Sequence, residues 1–124
     1  MKTISNSILL NRENDKPILI DVIYKPTNQP KSILVFCHGY KGFKDWGSWN
    51  LMSKYITDND ICVVKFNFSH NGGTIEEPID FPDLEAFGNN NYSKELKDLD
   101  DVVNCIHSQY SNHSDFNTES ISLL

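Results

Sequence analysis

The residues of this 124-residue chain whose types can do chemistry are few and scattered. Ser69 adjoins His70, a hydroxyl next to an imidazole. Neighbours in an extended segment point to opposite faces, so the two are not expected to act as nucleophile and base. Asp98, Asp100 and Asp101 suggest metal ligands, and Asp98 and Asp101 share a face if the segment is helical. The simpler expectation is a solvated helix side. His107 and His113 lack metal-site spacing and partners, so no metal site is expected. Cys37-His38-Gly39-Tyr40-Lys41-Gly42 places two glycines and a histidine directly after an apolar run, but it lacks the G-x-G-x-x-G spacing of a dinucleotide loop. Lys41 and Lys44 are the one close basic pair in a loop of interest, and two lysines do not make a phosphate-binding patch.

Composition narrows the class. The chain is 39% hydrophobic and 23% charged, which is ordinary for a soluble globular domain. A formal net charge of -6 argues against a nucleic-acid surface, which shows a clustered basic face. The three cysteines, Cys37, Cys62 and Cys105, sit apart in apolar stretches with no C-x-x-C pair. They read as reduced core thiols rather than a disulfide framework or zinc site. The N-terminus has no signal-peptide pattern, and no run approaches the ~18 apolar residues of a membrane span. A cytoplasmic location without membrane contact is the default expectation.

The elements that must position any site follow from periodicity. Residues 3–10 and 18–24 are strand candidates, the second with alternating Ile18, Ile20, Val22 and Tyr24. The polar residues 11–16 between them predict an antiparallel hairpin. Residues 32–37 are apolar without alternation, as in a parallel strand covered on both faces. Ser48 is placed to cap a helix to about Thr57, with Trp49, Met52, Tyr55 and Ile56 on its apolar face. Residues 61–66 form the next strand. Residues 72–91 read as an irregular excursion over a site. Leu96, Leu99, Val102, Val103, Ile106 and Tyr110 predict a long helix over residues 92–110. After a polar loop over 111–118, residues 119–124 begin another strand. A hairpin followed by strand–helix–strand–helix–strand is an α/β sheet with right-handed crossovers. Ligands of such sheets lie beyond the carboxyl ends of the strands, so the loops at 37–48 and 68–91 are the places to look.

These features together resemble the α/β-hydrolase family, in particular small bacterial esterase- and peptidase-like members. The resemblance rests on the lead-in hairpin, the third strand ending in His38-Gly39, the Trp-containing loop and helix after it, Phe66-Asn67-Phe68-Ser69-His70-Asn71-Gly72-Gly73, and the acidic helix from Tyr92. It covers nearly the whole chain. It implies the N-terminal half of an α/β-hydrolase sheet, with strand order first, second, fourth, third, fifth. It also implies a serine hydrolase acting on a small-molecule acyl substrate (ester, thioester or small amide) without a cofactor. In that family the fifth strand leads into a G-x-S-x-G nucleophile elbow. Ile121-Ser122-Leu123-Leu124 looks like that strand cut before the elbow, so nucleophile, acid and base are expected beyond Leu124.

By the same resemblance, the N–H of Tyr40 is the oxyanion-hole donor contributed by the loop after the third strand, with Gly39 letting the backbone turn. Gly39, Lys41 and Trp46 are the implied substrate-binding residues. Trp46 and Trp49 either line an acyl pocket or anchor the first helix. The triad order serine, acid, histidine leaves His38 and His70 as loop-shaping hydrogen-bonders. His70-Asn71-Gly72 stands where many relatives carry Arg-Gly, a departure that bars direct transfer of a binding role. The chain by itself is expected to be inactive and, through its uncovered last strand, to self-associate. The alternatives are a non-catalytic α/β binding module and a non-functional truncated product.

Overall fold

Residues 2–45 and 47–124 are described by the computed structural model. Strands β1 (Ile4–Arg12) and β2 (Asp15–Tyr24) form the expected antiparallel hairpin, longer than the apolar pattern alone indicates. The ladder runs through a bulge between Leu10 and Arg12 to the pair Arg12–Asp15, so the turn is only Glu13-Asn14. Asn14 takes a left-handed φ of 60°, which asparagine tolerates better than most residues. The alternation of β2 is realised, since Ile18, Ile20, Val22 and Tyr24 are all buried.

Strands β3 (Lys31–Cys37), β4 (Cys62–Phe66) and β5 (Phe116–Leu123) pair in parallel on either side of β3, and β4 joins β2 antiparallel. The sheet order is β1-β2-β4-β3-β5, the order the resemblance implies. All five residues of β4 are buried, including Lys65. Its ammonium is satisfied by the Lys44 carbonyl (3.2 Å), Asp45 Oδ1 (3.1 Å) and Asn50 Oδ1, which offsets the cost of burying a charge.

Helices α1 (Trp49–Asp58) and α3 (Tyr92–Tyr110) are the crossovers, and a short α2 (Leu84–Gly88) interrupts the excursion at 72–91. α1 departs from the expected face. Its buried residues are Ser53 and Thr57, while Tyr55 is 72% exposed. Ser53 Oγ donates to the Trp49 carbonyl (2.8 Å) and Thr57 Oγ1 to the Ser53 carbonyl (3.0 Å), so small hydroxyl side chains satisfy themselves while facing inward. Ser48 occupies the N-cap position without a side-chain capping bond. α3 is capped by Asn91, whose side chain accepts from Lys94 N at 2.9 Å. Its inward stripe is Asp98, Val102, Cys105, Ile106 and Tyr110, and Leu96 is exposed. β5 starts three residues earlier than predicted because Phe116 and Thr118 are buried. Among the described residues no helix is long and apolar enough to cross a membrane.

Candidate active site

The loops leaving β3 and β4 lie side by side at the carboxyl edge of the sheet, and side chains tie them together. His38 Nε2 accepts the Phe68 N–H (3.1 Å). Asn67 Oδ1 accepts the Lys44 N–H (2.8 Å), and Asn71 Nδ2 reaches the Gly42 carbonyl (3.4 Å). Lys44 and Lys65 anchor the same loop through Asp21 and Asp45. Burial holds the His38 pKa below the ordinary histidine value, so the ring is neutral, with its proton on Nδ1 facing the Gly39 carbonyl at 2.9 Å. His38 therefore shapes the loop, as its place in the sequence implied.

Within that frame residues 39–42 form a tight turn. The Gly39 carbonyl accepts the Gly42 N–H (2.9 Å), and Lys41 carries a positive φ of 59° at the third position, the type II pattern. The expectation assigned the steric demand to Gly39, and the structure moves it to Gly42. A Cβ at Gly42 would lie 2.7 Å from the Gly39 carbonyl oxygen, whereas a Cβ at Gly39 would meet nothing within 4 Å. Tyr40 sits at the crest of the turn. Its side chain is 84% exposed, and among the described residues its N–H has no hydrogen-bond partner. Trp46 lies outside the described residues. Trp49 packs on Phe36 with ring centroids 4.7 Å apart, which fits an anchor for α1.

The turn forms one rim of a cleft of about 400 Å³ whose other walls are His38, Phe68, Asn71, Phe87, Asn90, Tyr92 and Glu95. Phe87 comes from the excursion and Glu95 from the first turn of α3, so the excursion does reach the site. Burial, and then the charge of Asp98, hold the Glu95 carboxyl above its ordinary range. Glu95 in turn adds to the burial that raises the Cys37 thiol. Glu95, Phe87 and Tyr92 were not singled out from sequence. Their only signal was position, Phe87 inside the excursion and Tyr92 and Glu95 at the start of the helix that follows it.

Two expectations about side chains fail here. Ser69 and His70 do meet: Ser69 Oγ is 2.7 Å from His70 Nδ1 and 3.0 Å from Asp98 Oδ1. They can do so because these residues lie beyond the end of β4, where strand alternation no longer separates neighbours. Yet the order is wrong for nucleophile activation. The hydroxyl donates to the carboxylate, leaving its oxygen to accept from His70, so the imidazole does not act as base on it. Asp98 is likewise no solvated residue. It is 2% exposed and accepts from Arg12 Nη1 (2.7 Å), Ser69 N (2.8 Å) and Ser69 Oγ. The spacing 98, 102, 105, 106 had placed it on the apolar face of α3 all along. Among the described residues no group of three or more His, Cys, Asp or Glu side chains is placed to hold a metal ion.

No protein-family model matches the chain, and no curated protein matches its sequence. Solved structures do match. The esterase Est22 aligns with a TM-score of 0.68 at 14% identity, over 98% of this chain and 34% of that one. Carboxylesterase Cest-2923 from Lactobacillus plantarum aligns with a TM-score of 0.64 at 16% identity, over 99% of this chain and 41% of that one. An esterase from Rhizomucor miehei gives 0.61 at 12% identity, over 98% and 34%.

The chain has the α/β-hydrolase fold.

Identities this low speak to the fold alone, and the chain spans between 34% and 41% of the length of these three enzymes. The α/β-hydrolase elements it holds are those of the N-terminal half of the sheet: the antiparallel hairpin, the first parallel strands and the crossover helices. The turn at 39–42 follows the third of these strands.

Proposed function

We propose that this chain is the N-terminal part of a serine hydrolase that cleaves esters, thioesters or small amides through an acyl-enzyme. The observation that carries this reading is the Tyr40 N–H, unpartnered among the described residues on a braced turn at the carboxyl end of β3. Acyl transfer builds negative charge on the carbonyl oxygen, and a preorganised backbone donor aimed at it lowers the barrier by ~3 kcal/mol. Rigidity matters because a donor that must first be ordered loses part of that advantage. The bonds from His38, Asn67 and Asn71 supply the rigidity. The nucleophile, the acid and the base histidine are assigned to polypeptide outside these 124 residues, because Ser69, His70 and Asp98 are connected in the wrong order. Three free thiols agree with a reducing, cytoplasmic setting.

The test has two stages. The coding DNA after Leu124 should encode Gly-x-Ser-x-Gly within about ten codons. In the polypeptide that includes it, Tyr40→Pro should lower kcat on the order of a hundredfold, while Tyr40→Phe leaves it nearly unchanged. Proline is favoured at the second position of a type II turn, so this variant deletes the N–H and keeps the turn. Equal activity of the two variants would reduce the turn to a structural role.

A further inference from the structure

Glu95 is the carboxylate of the cleft, and among the described residues it has neither an ion pair nor a side-chain hydrogen bond. A glutamate in the first turn of a helix is favoured by the helix dipole, but an exposed position would serve that purpose equally. This one is half-buried, with Asp98 one turn further along the same helix face. The neighbouring His38 is neutral, so it does not compensate the charge. Lys41, the cation on the rim, holds its Nζ 5.7 Å from the centroid of the Tyr40 ring and makes no ion pair among the described residues. The cleft thus presents a carboxylate that, among the described residues, no cation contacts directly, with Lys41 held against the Tyr40 ring instead.

Aromatic rings from Tyr40, Phe68, Phe87 and Tyr92 share its lining with the polar Asn71 and Asn90. Tyr40 and Phe87 face each other with centroids 5.7 Å apart, Tyr92 is 85% exposed beside Glu95, and Phe68 lies behind His38. Aromatic faces attract cations, and the Lys41 ammonium over Tyr40 is an instance from within the chain. A carboxylate framed by aromatic rings in a cleft of this size selects a small cation with an apolar body. We infer that the cleft takes a substrate carrying a protonated amine, with Glu95 receiving the ammonium and the Tyr40, Phe87 and Tyr92 rings enclosing its alkyl portion. Calling the ligand a substrate rests on the hydrolase reading, whereas the binding itself does not.

Ligand-observed NMR on the 124-residue chain tests this, with n-butylammonium, n-butanol and butyrate as probes at neutral pH. Butylammonium should bind saturably and more tightly than the other two. Glu95→Gln should weaken it about fivefold, the scale of one half-exposed ion pair. The same change should leave butanol unaffected, and Glu119→Gln, far from the cleft, should change neither. Tyr92→Ala replaces an exposed side chain and so preserves folding, and it should weaken butylammonium about threefold. Equal loss in Glu95→Gln and Glu119→Gln would reduce the effect to overall charge and overturn the proposal. So would tighter binding of butyrate. Absent amine binding alongside a strong Tyr40→Pro effect on turnover removes the amine preference alone. Amine binding with turnover indifferent to Tyr40 removes the hydrolase reading and keeps the site.

Discussion

His38 Nε2 accepts the backbone N–H of Phe68 at 3.1 Å, so the loop after β3 hangs on the loop after β4 through a neutral imidazole. Protonation would set a donor against a donor. This gives the pH dependence a definite sign. With the folded pKa below the ordinary value of 6.5, the unfolded chain binds more protons than the folded one just under 6.5. The His38 contribution is therefore complete above that value and is lost as pH falls towards the folded pKa. His70 is shifted in the same direction, chiefly by burial, so the two must be separated by mutation. The urea midpoint should drop between about pH 7.5 and 5.5, and His38→Gln should flatten much of that slope. An unchanged slope in His38→Gln would show that the Phe68 bond does not govern it.

Much of this architecture was legible beforehand, for reasons particular elements make plain. β2 alternates because one face packs against α3, and α3 shows its stripe over nineteen residues. What escaped notice was polar burial. Asp98 and Lys65 are charged residues on inward faces, acceptable only because distant partners satisfy them, while Ser53 satisfies its hydroxyl within its own helix. Arg12 and Asp98 are 86 positions apart, and Lys65 draws on Asp45 and Asn50. Periodicity reports which face a residue occupies but says nothing of such partners. Tyr55 was misplaced for the complementary reason, because a large apolar side chain at helical spacing is exposed when smaller residues let the helix pack closely.

The Arg12–Asp98 pair gives the second prediction. Both side chains are at most 5% exposed, and Asp98 also holds the Ser69 amide. Asp98→Ala should cost about 3–5 kcal/mol, because it leaves the Arg12 charge buried with weaker partners at Asp15 and Asp101. Urea titration measures the loss. A cost below about 1 kcal/mol would mean that Arg12 escapes to solvent and the network is not structural.

The turn at 39–42 gives opposite predictions for adjacent residues. Lys41 holds a left-handed conformation that costs a side-chain-bearing residue roughly 1–2 kcal/mol, so Lys41→Gly should raise the melting temperature or leave it level, the gain being reduced by glycine's unfolded-state entropy. Gly42→Ala puts a methyl group 2.7 Å from a backbone oxygen and should destabilise the turn. Calorimetry on the pair decides. Stabilisation by Gly42→Ala would mean that the turn is not held in this form.

The last prediction concerns the open edge of β5. Among the described residues β5 pairs only with β3, and the backbone bonds from Cys37 N to the Leu124 carbonyl and from Leu124 N to the Val35 carbonyl extend that pairing to the final residue. The other edge of β5 carries no partner strand among the described residues, and Leu123 and Leu124 are 56% and 58% exposed. The last four residues, Ile121 to Leu124, include no charged side chain to discourage edge-to-edge pairing. An edge of this kind templates association with another chain. The 124-residue polypeptide should therefore self-associate in sedimentation velocity, increasingly so with concentration. Leu123→Lys, which places a charge on an exposed position without disturbing the buried Phe116 and Thr118, should shift it towards monomer. If the parent chain sediments as a monomer across the range, or the lysine variant associates as strongly, β5 is not the surface through which the molecule associates.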